Sequence, residues 1–188
     1  MDLTQEETQL LNIFRSLHKK YRDDTYNKYK RINPFIEDIF DWKERGKFWT
    51  KHDNVTVYNS TTIHGDVKIG KNTWIGPYCS LDGTAELVIG DNCSIALGCQ
   101  ILTHDSVKWA LSGGKSKYES EKILIGNCCF LGSFSVITKG IKIGDHSLVG
   151  ANAVVTKSFP PYSIIAGVPA KKIGKVIINS GDVNLEYF

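Results

Sequence analysis

Between Ile123 and Val155 aliphatic residues recur at every sixth position, at Ile125, Leu131, Ile137, Ile143, Val149 and Val155, and four of the six are followed directly by glycine. A helix repeats about every 3.6 residues and a lone amphipathic strand about every 2, so neither yields a strict period of six. Stacked short rungs of a parallel β-helix do, each aliphatic residue pointing into one continuous core. The same period runs back through Val57, Ile63, Ile69, Ile75 and Leu81 and, after a shift of two residues, through Ile89, Ile95 and Ile101. The shift falls near Asp82-Gly83, a turn dipeptide. The fourth position after each aliphatic is small, as at Thr73, Cys79, Cys93, Cys99, Cys129, Ser135, Ser147 and Ala153, which predicts a tight corner with little room inside.

Residues 1–50 carry no sixfold pattern. Thr4 and Glu7 have capping-box spacing, and Leu10, Leu11, Phe14, Leu17 and Tyr21 form a helical stripe, predicting a helix of about five turns. Asn33-Pro34 reads as a second helix start, Phe35, Ile36, Ile39, Phe40 and Trp42 as its apolar face, and Gly46 as its stop. An exposed first rung needs cover, so residues 1–50 are expected to form an N-terminal helical cap; they could also shape an acceptor pocket or a subunit contact. The repeat domain is expected to span 51–175. Within it, 106–122 is expected to be a loop extruded from the prism, because Gly113 and Glu119 fall at rung positions and cannot line this core. Phe159-Pro160-Pro161 ends the rungs, and the tail at 176–188 reads as strand or short helix.

A chain of 188 residues is long enough for one domain with a real core. Its net charge of +3 is too mild, and its basic residues too scattered, for a nucleic-acid partner. No apolar run reaches membrane-spanning length and the N-terminus opens on polar residues, so no membrane insertion and a cytoplasmic location are expected. Five cysteines are odd in number and four sit at the small corner position, which favours packed, reduced thiols; Cys128 should face outward. No zinc-binding spacing is present.

For chemistry the sequence offers His104, in ILTHD, directly before the extruded loop. Histidine is suited to accept a proton near neutral pH, although a lone histidine at a loop edge is more often solvated than catalytic. The hexapeptide coils, this histidine, IGNxxFLGSxSVI at 125–137, IGDHxLVGAxAVVTK at 143–157 and AGVPAK at 166–171 together resemble the hexapeptide acyltransferase superfamily. Within it they are most similar to the sugar O-acetyltransferases, the galactoside, maltose and nodulation-factor enzymes and those that decorate capsule and lipopolysaccharide. FDWKERG at 40–46 resembles the polysaccharide-locus branch.

That resemblance implies a mainly β chain, a left-handed parallel β-helix of triangular section, assembled as a homotrimer with acetyl-CoA in the cleft between two prisms. It implies His104 as general base toward a sugar hydroxyl and the Ser133 amide, after Gly132, as oxyanion donor. Phe130 and Ala151 would line the pantetheine arm, and Thr156, Lys157 and Lys171 would lie near the nucleotide phosphate, with no metal required. Asp82, Asp105 and Trp109 are candidates for holding the acceptor sugar, though Asp82 could simply make its turn and Asp105 could orient His104 or fix the loop. His64 and His146 fall at outward positions and read as solvent-facing. The competing classes are an N-acetyltransferase on an amino-sugar nucleotide, a non-catalytic scaffold, and a carbonic-anhydrase-like metalloenzyme. The last would need His64, His104 and His146 as ligands, and their spacing offers no close pair.

Overall fold

The computed structural model describes residues 3–52 and 54–188. The chain forms two compact units, Met1–Trp42 and Lys43–Phe188. In the first, α1 (Gln5–Tyr29) starts on the expected capping box, Thr4 and Glu7 each closing on the other's backbone. It runs well past five turns because nothing breaks it before Lys30, which turns into the left-handed region at φ 55°. The predicted second helix is two pieces. Here α2 (Phe35–Ile39) stops where Phe40 becomes extended, and the bend puts the Trp42 indole N–H 3.0 Å from Glu37 Oε2. Gly46 ends nothing: it lies inside α3 (Trp42–Trp49), where a Cβ would come within 2.0 Å of the Val55 carbonyl oxygen. From α3, Arg45 donates to the carbonyls of Tyr58 (2.9 Å), Asn59 and Thr61 (2.5 Å), which ties the helix onto the first coil.

The second unit is a left-handed parallel β-helix, and its strand registers show three faces. One stacks Val57, Ile75, Ile95, Leu131, Val149 and Ile165. The next stacks Ile63, Leu81, Ile101, Ile137 and Val155. The third stacks Ile69, Ile89, Ile125 and Ile143, with Phe159 bridged below. All but Ile63 are buried, and full burial of such a side chain contributes about 1.5–3 kcal/mol. Three residues beyond the rung aliphatic, the corner residue adopts positive φ even where it is not glycine, as at Asn72, Tyr78, Asn92, Cys128, Phe134, His146 and Asn152.

The small residue that follows is buried and does more than save space. Thr73 Oγ1 donates to Gly90 O (2.8 Å), Cys79 Sγ to Ala96 O (3.1 Å), Cys93 Sγ to Gly126 O (3.1 Å) and Cys99 Sγ to Gly132 O (3.2 Å). Each of these four corners therefore satisfies a carbonyl of the next coil. All five cysteines are free thiols, and Cys128 faces outward.

Two interruptions break the repeat. The strand Ser80–Ile89 carries Thr84, Ala85 and Glu86 where its neighbour Thr62–Ile69 has only Asp66. After Thr103 the chain leaves the prism. This extruded span is ordered, with His104–Asp105 pairing antiparallel to Glu119–Ser120 around α4 (Val107–Leu111). It rejoins at Ile123–Ile125. Past Ser163–Gly167 the tail forms an antiparallel hairpin, Ala170–Asn179 with Asp182–Tyr187. No helix among the described residues is long and apolar enough to cross a membrane.

Candidate active site

Both interruptions meet at Asp82. Its side chain has no exposed surface, and adjacent coils close over it where Gly65 and Gly83 stack; a Cβ on Gly83 would lie 2.5 Å from the Asp66 backbone. Asp82 Oδ2 accepts from the His104 backbone N–H at 3.1 Å and lies 2.5 Å from His104 Nδ1. Oδ1 accepts from the Thr84 N–H at 2.8 Å and lies 2.9 Å from His64 Nε2. Burial alone would raise this carboxyl, but hydrogen bonds from Thr84, His104 and Thr103 outweigh it and hold the group well below the usual carboxylate range. Asp82 is therefore ionised at neutral pH and can only accept. His104 must then carry its proton on Nδ1, which leaves the Nε2 lone pair as the available base. With its side chain 38% exposed, His104 is open to a substrate.

Asp82 was expected against the acceptor or in a turn; it instead lies buried in the strand Ser80–Ile89 against both histidines, its Oδ1 accepting from the N–H of Thr84 two residues on. Asp105 does not touch His104 with its carboxylate. Oδ1 caps the Val107 N–H at 3.0 Å and Oδ2 pairs with Lys139, which also reaches Glu119 at 3.3 Å. Lys139 is the main cause that lowers the Asp105 carboxyl, and Asp105 in turn raises Lys139. This cluster fixes the base of the loop. Trp109, on α4, is exposed and packs edge-to-face with Tyr118, 5.5 Å between centroids.

His64 faces solvent as expected, but sequence reasoning missed that its Nε2 also reaches Asp82. It also missed Lys139. The statement that the histidines offer no close ligand pair is corrected: ligand atoms of His64, Asp82 and His104 all lie within 4.8 Å of one another, a donor set that could hold a metal ion. His146 is elsewhere, stacked on Tyr162 at 5.0 Å.

The remaining candidates divide between two corners of the prism. Ser133 and Ala151 occupy the same position on successive coils, two residues past Leu131 and Val149, and Asn152 N–H donates to Ser133 O at 2.9 Å. The Gly132 N–H is committed to Val149 O at 2.8 Å, whereas the Ser133 N–H donates to no group among the described residues. A Cβ on Gly132 would lie 2.5 Å from Ala151 N, so only glycine fits there. Phe130 projects outward from the strand before this turn, and Lys171 pairs with Ala166 on the hairpin beside it. Thr156 and Lys157 follow Val155 instead, at the corner that His104 leads away from, with Lys157 Nζ 5.7 Å from the Phe159 ring centroid. One chain thus presents His104 at one corner and a free amide donor at another.

A family model described as bacterial transferase hexapeptide (six repeats) matches residues 122–157. Galactoside O-acetyltransferase of Escherichia coli K12 is 31% identical over 128 residues, which are 57% of this chain and 63% of that protein. The chain therefore spans less than two thirds of that relative. Chloramphenicol acetyltransferase of Morganella morganii is 35% identical over 168 residues, 74% of this chain and 78% of that protein. In fold, a hexapeptide-repeat acetyltransferase of Vibrio cholerae, solved with acetyl coenzyme A, superposes with a TM-score of 0.64 at 20% identity over 93% of both chains. With the repeat, the three-faced prism and these relatives together, the chain belongs to the hexapeptide-repeat acyltransferase family.

Proposed function

We propose that the protein transfers an acetyl group from acetyl-CoA to a hydroxyl of a saccharide, with His104 as general base. The observation that carries this reading is the buried, ionised Asp82 on His104 Nδ1, which leaves Nε2 as the proton acceptor. The acceptor hydroxyl gives its proton to Nε2 as its oxygen attacks the thioester carbonyl. Asp82 stabilises the imidazolium so formed, and the Ser133 N–H is suited to the tetrahedral oxyanion. Collapse breaks the carbon–sulfur bond, and the imidazolium returns its proton to the departing thiolate. The products are the acetyl ester and coenzyme A, with His104 restored.

Base and oxyanion donor lie at different corners of one prism, so the reading includes a homotrimer in which each cleft pairs the His104 corner of one copy with the Ser133 corner of the next. Phe130, Gly132, Ala151, Thr156, Lys157 and Lys171 would then line the coenzyme, and Trp109 would cover a pyranose face. The resemblance of FDWKERG at 40–46 to polysaccharide-locus enzymes favours a cytoplasmic role in surface-polysaccharide synthesis. The similarity to a chloramphenicol acetyltransferase supports a second reading, in which the hydroxyl belongs to a small non-sugar molecule.

The test is thiol release from acetyl-CoA with galactosides, maltose, polysaccharide fragments, chloramphenicol and amino sugars, for the parent and His104→Ala. Release with a saccharide hydroxyl that collapses in the folded variant is the expected result. Equal rates in the two proteins would overturn the assignment of the base, and exclusive use of an amine or of chloramphenicol would overturn the acceptor.

A further inference from the structure

His64 has no place in the chemistry above, yet it touches the same carboxylate as the base. It follows Ile63, and the register sets it directly beside Asp82 on the neighbouring coil. Its Nε2 is 2.9 Å from Asp82 Oδ1, and its ring stands edge-to-face to that of His104, with centroids 6.4 Å apart at 81°. A ring nitrogen that close to an ionised carboxylate oxygen must carry a hydrogen, since two lone pairs would repel.

The need for a second holder follows from Asp82 itself. The terminal torsion of an aspartate is broad and nearly twofold, so a carboxylate is not fixed by its rotamer. Backbone N–H groups hold one oxygen each, from Thr84 and His104, the Thr84 and Thr103 side chains also donate to the carboxylate, and among the described residues the only side-chain nitrogens on the pair are those of His64 and His104. We propose that His64 is a positioning residue for the base: it holds Asp82 Oδ1 from the solvent side and so keeps Oδ2 aimed at His104 Nδ1, while its ring limits rotation of the His104 imidazole. It acts through Asp82 and His104 and takes no proton from the acceptor. The catalytic part of this inference rests on the reaction proposed above.

Four proteins test it: His64→Ala, His64→Gln, Asp82→Asn and the double variant His64→Ala/Asp82→Asn, each checked for fold by circular dichroism. His64→Ala should lower kcat about 3- to 10-fold, the size of one hydrogen bond, with KM for acetyl-CoA unchanged. His64→Gln, whose amide can present an N–H to Oδ1, should recover most of that loss. In the Asp82→Asn background His64→Ala should cost less than about 2-fold more, because the group it acts through is gone. Independent effects that multiply, a change confined to the acceptor KM, or a loss as complete as in His104→Ala would each overturn the proposal.

A second readout does not depend on turnover. Nitrogen-15 NMR of the imidazoles should show His104 protonated at Nδ1 in the parent and a shift toward the Nε2–H form in His64→Ala. An unchanged His104 tautomer would overturn the positioning role even if no acceptor proved active, and so separates its failure from that of the reaction.

Discussion

Asp82→Asn is the most direct test of how this site works. In the proposed reaction, the imidazolium formed on His104 faces a full negative charge, with Oδ2 2.5 Å from Nδ1 and the centre of ring charge about 4 Å away. At an effective dielectric of about 20 such a pair is worth about 4 kcal/mol. His104 is 38% exposed, and halving the term for solvent screening leaves about 2 kcal/mol. At about 1.4 kcal/mol per decade, kcat should fall between about 30- and 1,000-fold. The amide adds a structural conflict. Backbone N–H groups approach both oxygens of Asp82, so either orientation of asparagine turns its NH2 toward one of them. One donor left unsatisfied in a buried seat costs about 1–3 kcal/mol, enough to lower the melting temperature by several degrees without unfolding the protein. The assay is steady-state thiol release at saturating acetyl-CoA, with the melting curve measured in parallel. A folded variant whose kcat stays within about 3-fold of the parent would refute the claim that Asp82 sets the state of His104.

Three further outcomes follow. The Asp82 carboxyl is depressed in the folded state, so its stabilisation is fully present above its unfolded value of about 3.9 and is lost as pH falls through and below it; denaturant unfolding should show the stability gap between parent and Asp82→Asn shrinking below about pH 4. Arg45→Met removes donors from three carbonyls of the first coil and should cost about 2–3 kcal/mol in urea unfolding, hydrogen bonds from a charged group being the stronger kind. Cys93→Ala leaves the Gly126 carbonyl without its thiol donor and should destabilise by about 1–2 kcal/mol, whereas Cys93→Thr, which copies the donor that Thr73 supplies on the coil before, should recover part of the loss.

The faces of the prism were legible because burial at a rung is a one-residue decision: Ile125, Leu131 and Ile137 each enter the core of a different face, and the period of six carries that directly. What each corner does was not. Cys79 and Cys99 read as small residues, and only the stacked carbonyls show that a donor is wanted as well. Gly46 carried the composition of a helix stop, while its actual constraint is the Val55 carbonyl, brought against it from nine residues away. The extruded span was legible as non-repeat, but its short helix and strand pair depend on Lys108, Lys139, Asp105 and Glu119 meeting in space. No local pattern encodes that meeting.

The site was half legible for a related reason. His64 and Asp82 are 18 residues apart, one full coil, so the repeat already implied that they share a corner. His104 lies 22 residues beyond Asp82, off the coil count, and reaches the same carboxylate only because the chain is leaving the prism. Thr103 Oγ1 accepts from Ala85 N–H at 3.1 Å and the His104 N–H donates to Asp82, so the inserted residues at 84–86 and the departure at 103–104 are stitched to each other across one coil. A regular solenoid has no reason to bury a charge. Here the two places where the repeat fails supply the donors that make a buried Asp82 tolerable, and the side chain they stabilise is the one that holds His104 Nδ1. Breaks in an otherwise consistent pattern are where function is expected, and restoring the regular rung, by deleting two of residues 84–86, should remove the seat of Asp82 while leaving the prism to fold.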